Sequence, residues 1–215
     1  MDLDRTATRR MRQRRLPAAH ALARGAAVLV LLSCADRLIV RRPFWGRAFW
    51  AAFDVLVHGA VALVVAGPCI RQARSRKRAV ALSGLAFVAA TALDVDHFVA
   101  AGSLDIGPTL ALAHRPPTHS LTFALAVGAA VRLVSRDREA SWMALTGIAS
   151  HVLRDAAMGT APLMWPLSVD TVPRWAYLCG ELGLLLASGA FWPGARRRAG
   201  KRDRRLVLRK PVSAP

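Results

Sequence analysis

Residues 79–101 read AVALSGLAFVAATALDVDHFVAA, a run without lysine or arginine whose only ionisable side chains, Asp94, Asp96 and His97, gather near its end. A helix that crosses the hydrocarbon needs about 20 largely apolar residues, and this run meets that length. No polar stripe recurs along it at the helical period, so a half-solvated helix of a soluble bundle does not account for it. The run predicts a transmembrane helix with a polar end.

The pattern repeats along the chain. Lysine and arginine are absent from 48–70, 79–114, 116–131, 139–153, 155–173 and 175–195, and most of these windows hold an apolar run. The chain is 54% hydrophobic yet carries a formal charge of +18, its cations confined to blocks between the runs. A nucleic-acid binder would line one face or groove with such charge, whereas blocks flanking apolar runs fit membrane loops. The basic tails are expected to be drawn to anionic lipid, so membrane lipids are the expected partner and nucleic acid is set aside.

Helices are predicted at 22–40, 48–68, 79–101, 118–134, 140–158 and 175–192, giving an all-α polytopic transmembrane bundle of about six helices. Orientation follows from the cations, whose excess marks cytoplasmic loops. Residues 1–24 hold seven, 71–78 five, 132–138 three and the stretch from Arg196 to Lys210 nine, so both termini inside puts 24 of the 31 on the cytoplasmic side. Three parts are expected: a basic cytoplasmic segment 1–21, a transmembrane domain 22–194 and a basic cytoplasmic tail 195–215. The expected location is the inner (cytoplasmic) membrane, crossed several times.

The N-terminus resembles a signal peptide in its basic and apolar regions, but no small-residue cleavage site precedes Asp36 and Arg37, which predicts an uncleaved first helix. Cys34, Cys69 and Cys179 form no CxxC pair and are expected to be packing residues.

Ionisable residues inside apolar runs are costly and mark function by default. Asp94 and His97 stand three apart, His151 and Asp155 four apart, and Asp54 and His58 four apart, so each pair shares a helix face. His114 and His119 bracket the start of the fourth helix, where Thr118 is the expected N-cap after Pro116 and Pro117. The topology sends all of these groups to the outer leaflet, although it was derived from lysine and arginine alone. Singly, each has an ordinary reading: an interhelical hydrogen bond, a solvated helix end, or a carboxylate reaching outward or pairing with Arg47. Together, imidazoles and carboxylates from four helices suit zinc or another divalent first-row metal.

At these residues the chain resembles the YdjM-like family of membrane-bound metal-dependent hydrolases. The resemblance rests on His58-Gly59, Asp94-Val95-Asp96-His97, His114 to Ser120, Ser150-His151-Val152-Leu153-Arg154-Asp155 and Pro162-Leu163-Met164-Trp165-Pro166, in the family's order over about 55–170. Pro116 stands where the family has glycine, and the residues after Asp155 depart from its pattern while keeping Gly159. The resemblance implies a divalent metal, zinc foremost, and hydrolysis. A more distant similarity to zinc-dependent phospholipase C enzymes makes a phosphoester attractive at the level of fold analogy.

Combined, residues and resemblance lead to an enzyme that hydrolyses an ester or phosphoester, lipid or lipid-linked, at the extracytoplasmic side. His58, Asp96, His119, His151 and Asp155 are the expected ligands, with His97 and His114 supporting them or holding a second metal. Asp94 is the expected general base, and Arg115 is expected to hold an anionic group. Trp165, Trp175 and Tyr177 are expected at the membrane interface. The rivals are a transporter that passes a metal ion or protons, and an inactive membrane scaffold.

Overall fold

A computed structural model describes residues 19–35, 37, 46–158, 161–168 and 172–190. Both strongly basic tails and Gly159 lie outside the described residues. The described chain is helical: α1 (Ala19–Ala35), α2 (Arg47–Ile70), α3 (Arg76–Thr91), α4 (Val95–Ala101), α5 (Ile106–Leu110), α6 (Leu121–Ser135), α7 (Arg138–Met158) and α8 (Arg174–Ala190). A 3-10 turn, Ala92–Asp94, joins α3 to α4.

Two stretches have the length and composition to cross a membrane: Phe49–Ile70, with mean hydropathy 2.0, and Arg76–Ala101, with mean hydropathy 1.6. Only 39% and 22% of their apolar windows are buried inside the protein, so most of this apolar surface faces outward, as lipid-facing helices require. The sequence pattern located all six long helices, but six crossings do not follow from their lengths. The 15 residues of α6 reach about 22 Å, short of a hydrocarbon core of about 30 Å.

The central helix is α7, which packs against α2, α3, α6 and α8 and buries nearly every residue from Met143 to Ala156. That surround explains how an apolar bundle tolerates His151, Arg154 and Asp155: its neighbours screen them from lipid. Contact between α7 and α3 is close because both faces are small. A Cβ on Gly147 would stand 2.6 Å from the Ala86 carbonyl oxygen and 2.9 Å from the Ala89 Cβ, an approach that only small residues allow.

Local signals set the helix ends. Ser120 caps α6, its hydroxyl accepting from the Phe123 N–H at 3.2 Å, so the expected Thr118 cap is displaced by two residues. The loop after α7 completes that start: the Leu163 carbonyl accepts from Leu121 N–H at 3.0 Å and the Trp165 carbonyl from the Thr122 hydroxyl at 2.7 Å. Asp137 Oδ1 accepts from Glu139 N–H at 2.9 Å and caps α7. At that end of the bundle, Arg78 from α3 pairs with Asp137 and, at 2.8 Å, with Glu139.

Tyr177 is 3% exposed and belongs to the main apolar cluster with Leu93, Val152 and Leu163, which removes it from the expected interface aromatics. Trp165 and Trp175 are exposed, as expected. Of the cysteines, Cys69 is buried while Cys34 and Cys179 face outward.

Candidate metal centre

Four segments converge at one end of the bundle: the first half of α2, the turn from α3 into α4, the loop before α6 and the end of α7. The 3-10 turn matters first. Tightening the helix at Ala92–Asp94 carries Asp94 toward α6 and α7 while Asp96 and His97 follow on α4. His119 enters on the Pro116–His119 turn, whose backbone bond, His119 N–H to the Pro116 carbonyl, is 2.9 Å. His151 and Asp155 come from α7, one turn apart.

His119, His151 and Asp155 are each no more than 1% exposed. Their donor atoms face one another with Asp94. The two Nε2 atoms of His119 and His151 are 3.1 Å apart. Asp155 Oδ2 lies 3.4 Å from the first and 3.1 Å from the second. Asp94 Oδ1 lies 3.9 Å and 3.6 Å from the same two atoms. Four ligands on a tetrahedron with bonds of about 2.0–2.1 Å stand about 3.3 Å apart, so these separations fit a zinc-sized position.

Proton assignment sharpens the fit. His151 Nδ1 lies 2.6 Å from the Ala90 carbonyl oxygen, which can only accept, so Nδ1 carries the hydrogen and Nε2 has the lone pair. His119 Nδ1 lies 3.2 Å from Asp96 Oδ2 without a formed hydrogen bond, and this nearby carboxylate favours the tautomer with the hydrogen on Nδ1 and the lone pair on Nε2. Two lone pairs then oppose each other at 3.1 Å beside a buried carboxylate. Neutral imidazoles alone do not satisfy this arrangement, and a cation between them does. Asp155 Oδ1 and Oδ2 and Asp94 Oδ2 are buried with no hydrogen-bond partner, a costly state for carboxylates unless a cation compensates them.

Around this group stand the atoms that orient it. Thr118, released from capping, donates to Asp96 Oδ2, and His97 Nδ1 lies 3.0 Å from Asp96 Oδ1. Asp96 therefore reads as the carboxylate behind His119, favouring that tautomer as in carboxylate–histidine–metal arrangements. Arg115 closes the outer side: its Nη1 lies 2.8 Å from His97 Nε2 and 3.1 Å from Asp155 Oδ2, with the side chain 26% exposed.

Three donor groups among the described residues could hold an ion: Asp94, His119, His151 and Asp155; Asp96, His97 and His119; and Asp54, His58 and Asp155. Residues 53–199 match the family described as YdjM inner membrane protein. The chain belongs to this family. It is also similar to Transmembrane protein 267 of Danio rerio, at 32% identity over 162 residues that cover 65% of this chain and 71% of that protein. No solved structure matches it at a significant level.

In this YdjM-family chain, eight of the nine predicted site residues come together: His58, Asp94, Asp96, His97, Arg115, His119, His151 and Asp155. His114 does not join them. It is exposed on the loop and outside all three donor groups, because the turn over Pro116 and Pro117 sends His119 inward and leaves His114 behind. Asp94, expected as a base, stands in the four-residue donor group, while Asp96, expected as a ligand, stands in the group with His97 and His119 and lies beside His119 Nδ1.

Two residues were not foreseen. Arg154 is 2% exposed and reaches Asp54 Oδ1 through Nη2 at 2.6 Å and His58 Nε2 through Nη1 at 2.8 Å. The alternative partner for Asp54, Arg47, has its side chain outside the described residues. Glu181 on α8 is fully buried, with neither oxygen hydrogen-bonded, and the Arg154 charge acts on it. Both carried a legible signal, since each is an ionisable residue within an apolar run.

Proposed function

We propose that this protein is a membrane-embedded metal-dependent hydrolase that holds one divalent ion, zinc by its donor set, among Asp94, His119, His151 and Asp155. The observation that carries the reading is the pair of Nε2 atoms, 3.1 Å apart, whose rings face acceptors on their other side. Nitrogen and carboxylate donors together favour zinc over magnesium or calcium, which take oxygen ligands.

A divalent ion there supplies Lewis-acid chemistry, polarising a phosphoryl or acyl oxygen and lowering the pKa of water. The chain's own groups do the rest. Asp94 engages through Oδ1 and keeps Oδ2, buried and without a partner, to take a proton from an attacking water. Arg115 can turn from Asp155 toward an anionic group, since a guanidinium matches phosphate bidentately. Burial of His119, His151 and Asp155 keeps bulk water from the reacting atoms.

The cation blocks in the sequence set this end of the bundle outside and both termini inside. The central helix α7 crosses behind its apolar neighbours, and the shorter α6 crosses with the loop at its start. A site at outer-leaflet depth in an inner, multi-pass membrane protein suits an ester or phosphoester on a lipid or lipid-linked substrate.

Metal content of the detergent-purified protein, by elemental analysis, tests this, together with His119→Ala and His151→Ala and a screen of phosphoester and lipid substrates. One equivalent in the wild type, lost in both variants, with hydrolysis that follows the metal, is expected. Substoichiometric metal in the wild type, or no change in the variants, would sink the site.

A transporter is the second reading, favoured by the buried Glu181, which continues the polar groups one helix further into the bundle. Metal-dependent uptake into proteoliposomes without hydrolysis would establish it instead.

A further inference from the structure

Asp155 faces two ways. Its Oδ2 belongs to the group with His119 and His151, while its Oδ1 lies 3.4 Å from His58 Nε2, itself 3.5 Å from Asp54 Oδ2. Those separations again match the edges of a zinc-sized polyhedron. Bridging carboxylates of this kind hold two-metal hydrolytic sites, whose ions stand about 3.5–4 Å apart, so a dinuclear centre is the obvious extension.

The corner already contains a cation. Arg154 Nη1 donates to His58 Nε2 at 2.8 Å, which commits the lone pair a metal would need and places the ring hydrogen on Nδ1. Its Nη2 engages Asp54 Oδ1 at 2.6 Å. The guanidinium fork thus occupies the His58 donor atom outright and pairs with the Asp54 carboxylate through its other oxygen. Arginine stays charged under all ordinary conditions. A dication added beside it would meet a fixed like charge in a corner where His58, Arg154 and Asp155 are buried and only Asp54 is partly exposed, so repulsion is stronger than in water.

We infer that Arg154 is a resident cation that fills the second metal position, so that the centre is mononuclear and the Asp54–His58 pair serves to hold Arg154 in place. This rests on the proposed site at Asp94, His119, His151 and Asp155. His58 stacks on His151 with ring centroids 3.6 Å apart and an interplanar angle of 19°, so a fixed Arg154–His58 unit also sets the plane of the His151 ring. Arg154 and His58 are positioning residues in this arrangement.

Zinc stoichiometry decides it, measured on the full chain in detergent after stripping and reloading with zinc alone. The wild type is expected to bind one zinc, Arg154→Met two, and Arg154→Met combined with Asp54→Asn one again. Two zinc ions in the wild type would overturn the inference while leaving the primary site intact. So would one zinc in a folded Arg154→Met. No zinc in the wild type would remove the primary site and this inference together. Should Arg154→Met fail to fold, His58→Gln settles the matter. One zinc still bound per chain, at an affinity lowered by about 10–100-fold as for other orienting groups, supports the guanidinium in that corner, and complete loss of zinc identifies His58 as a ligand and overturns it.

Discussion

The two ends of the helical bundle both join distant segments through charge, and they do so in opposite ways. Where α3 begins and α6 turns into α7, Arg78 pairs with Asp137 and Glu139, and all three side chains keep between 19% and 32% exposure. At the other end, Asp155 is 1% exposed, and neither of its oxygens has a hydrogen-bond partner despite nearby nitrogens. Directly paired, partly solvated charge is a clasp. The guanidinium beside Asp155, Arg115 Nη1 at 3.1 Å from Oδ2, is shared with His97, so the buried carboxylates still favour a further cation, since an undercompensated carboxylate in an apolar interior is costly.

The contrast breaks most visibly at Asp155. Asp155→Asn should weaken metal binding by more than about 100-fold, because even changes to orienting groups behind a ligand cost about 10–100-fold. Isothermal titration of the stripped protein with zinc reads this directly, and near-normal affinity would mean the site end is only another clasp.

Asp96→Asn separates orientation from ligation. Its loss leaves the donor set whole but no longer favours one His119 tautomer, so affinity should fall by about 10–100-fold with stoichiometry unchanged. A drop to zero equivalents would move Asp96 into the ligand set, and no drop would detach it from the site.

Packing joins the two ends through Gly147. Gly147→Ala places a methyl 2.6 Å from the Ala86 carbonyl oxygen and forces α3 and α7 apart. The cost should be about 1–3 kcal/mol of stability. It should also weaken zinc binding, because the Ala90 carbonyl that holds His151 lies on the displaced stretch. Thermal unfolding with and without zinc checks both effects.

The smallest effect is expected at the clasp. Arg78→Ala should cost about 0–1 kcal/mol, as partly exposed pairs do, and leave zinc affinity unchanged. Partial burial disfavours ionised Asp137, but the Ala140 N–H and Arg78 outweigh it and hold its carboxyl below the usual carboxylate range. A lowered carboxylate contributes stability above its unfolded value, about 3.9, and loses it as pH falls through the folded value. Acid melts should therefore show a shallower loss below about pH 4 in Arg78→Ala than in the wild type. Identical acid profiles would show that Arg78 does not support Asp137.

Much of the site was legible because helix periodicity is a local rule. Asp54 with His58, His151 with Asp155, and Asp94 with His97 share faces as their spacings require, at 3.5, 3.1 and 3.8 Å. The rule says nothing of what faces a pair across the bundle. Thr118 resembled a cap until Ser120 took that role and left it to Asp96. His114 carries the same imidazole as His119, and only the fold of the intervening turn separates an exposed side chain from a buried one. Arg154 passed as a variable position within the His151–Asp155 spacing.

Sequence by itself determined that the chain is helical and membrane-suited, and that imidazoles and carboxylates gather at one end of its helices. Those properties follow from run length, periodicity and the placement of cations, each of which acts over at most a few turns. Tertiary structure decided which nitrogens hold lone pairs, which carboxylates face them and which corner a guanidinium has already taken. Those depend on how closely α3 and α7 approach at Gly147 and on where Ala90, Asp96 and Arg154 lie across helix boundaries, distances that no spacing along one helix encodes.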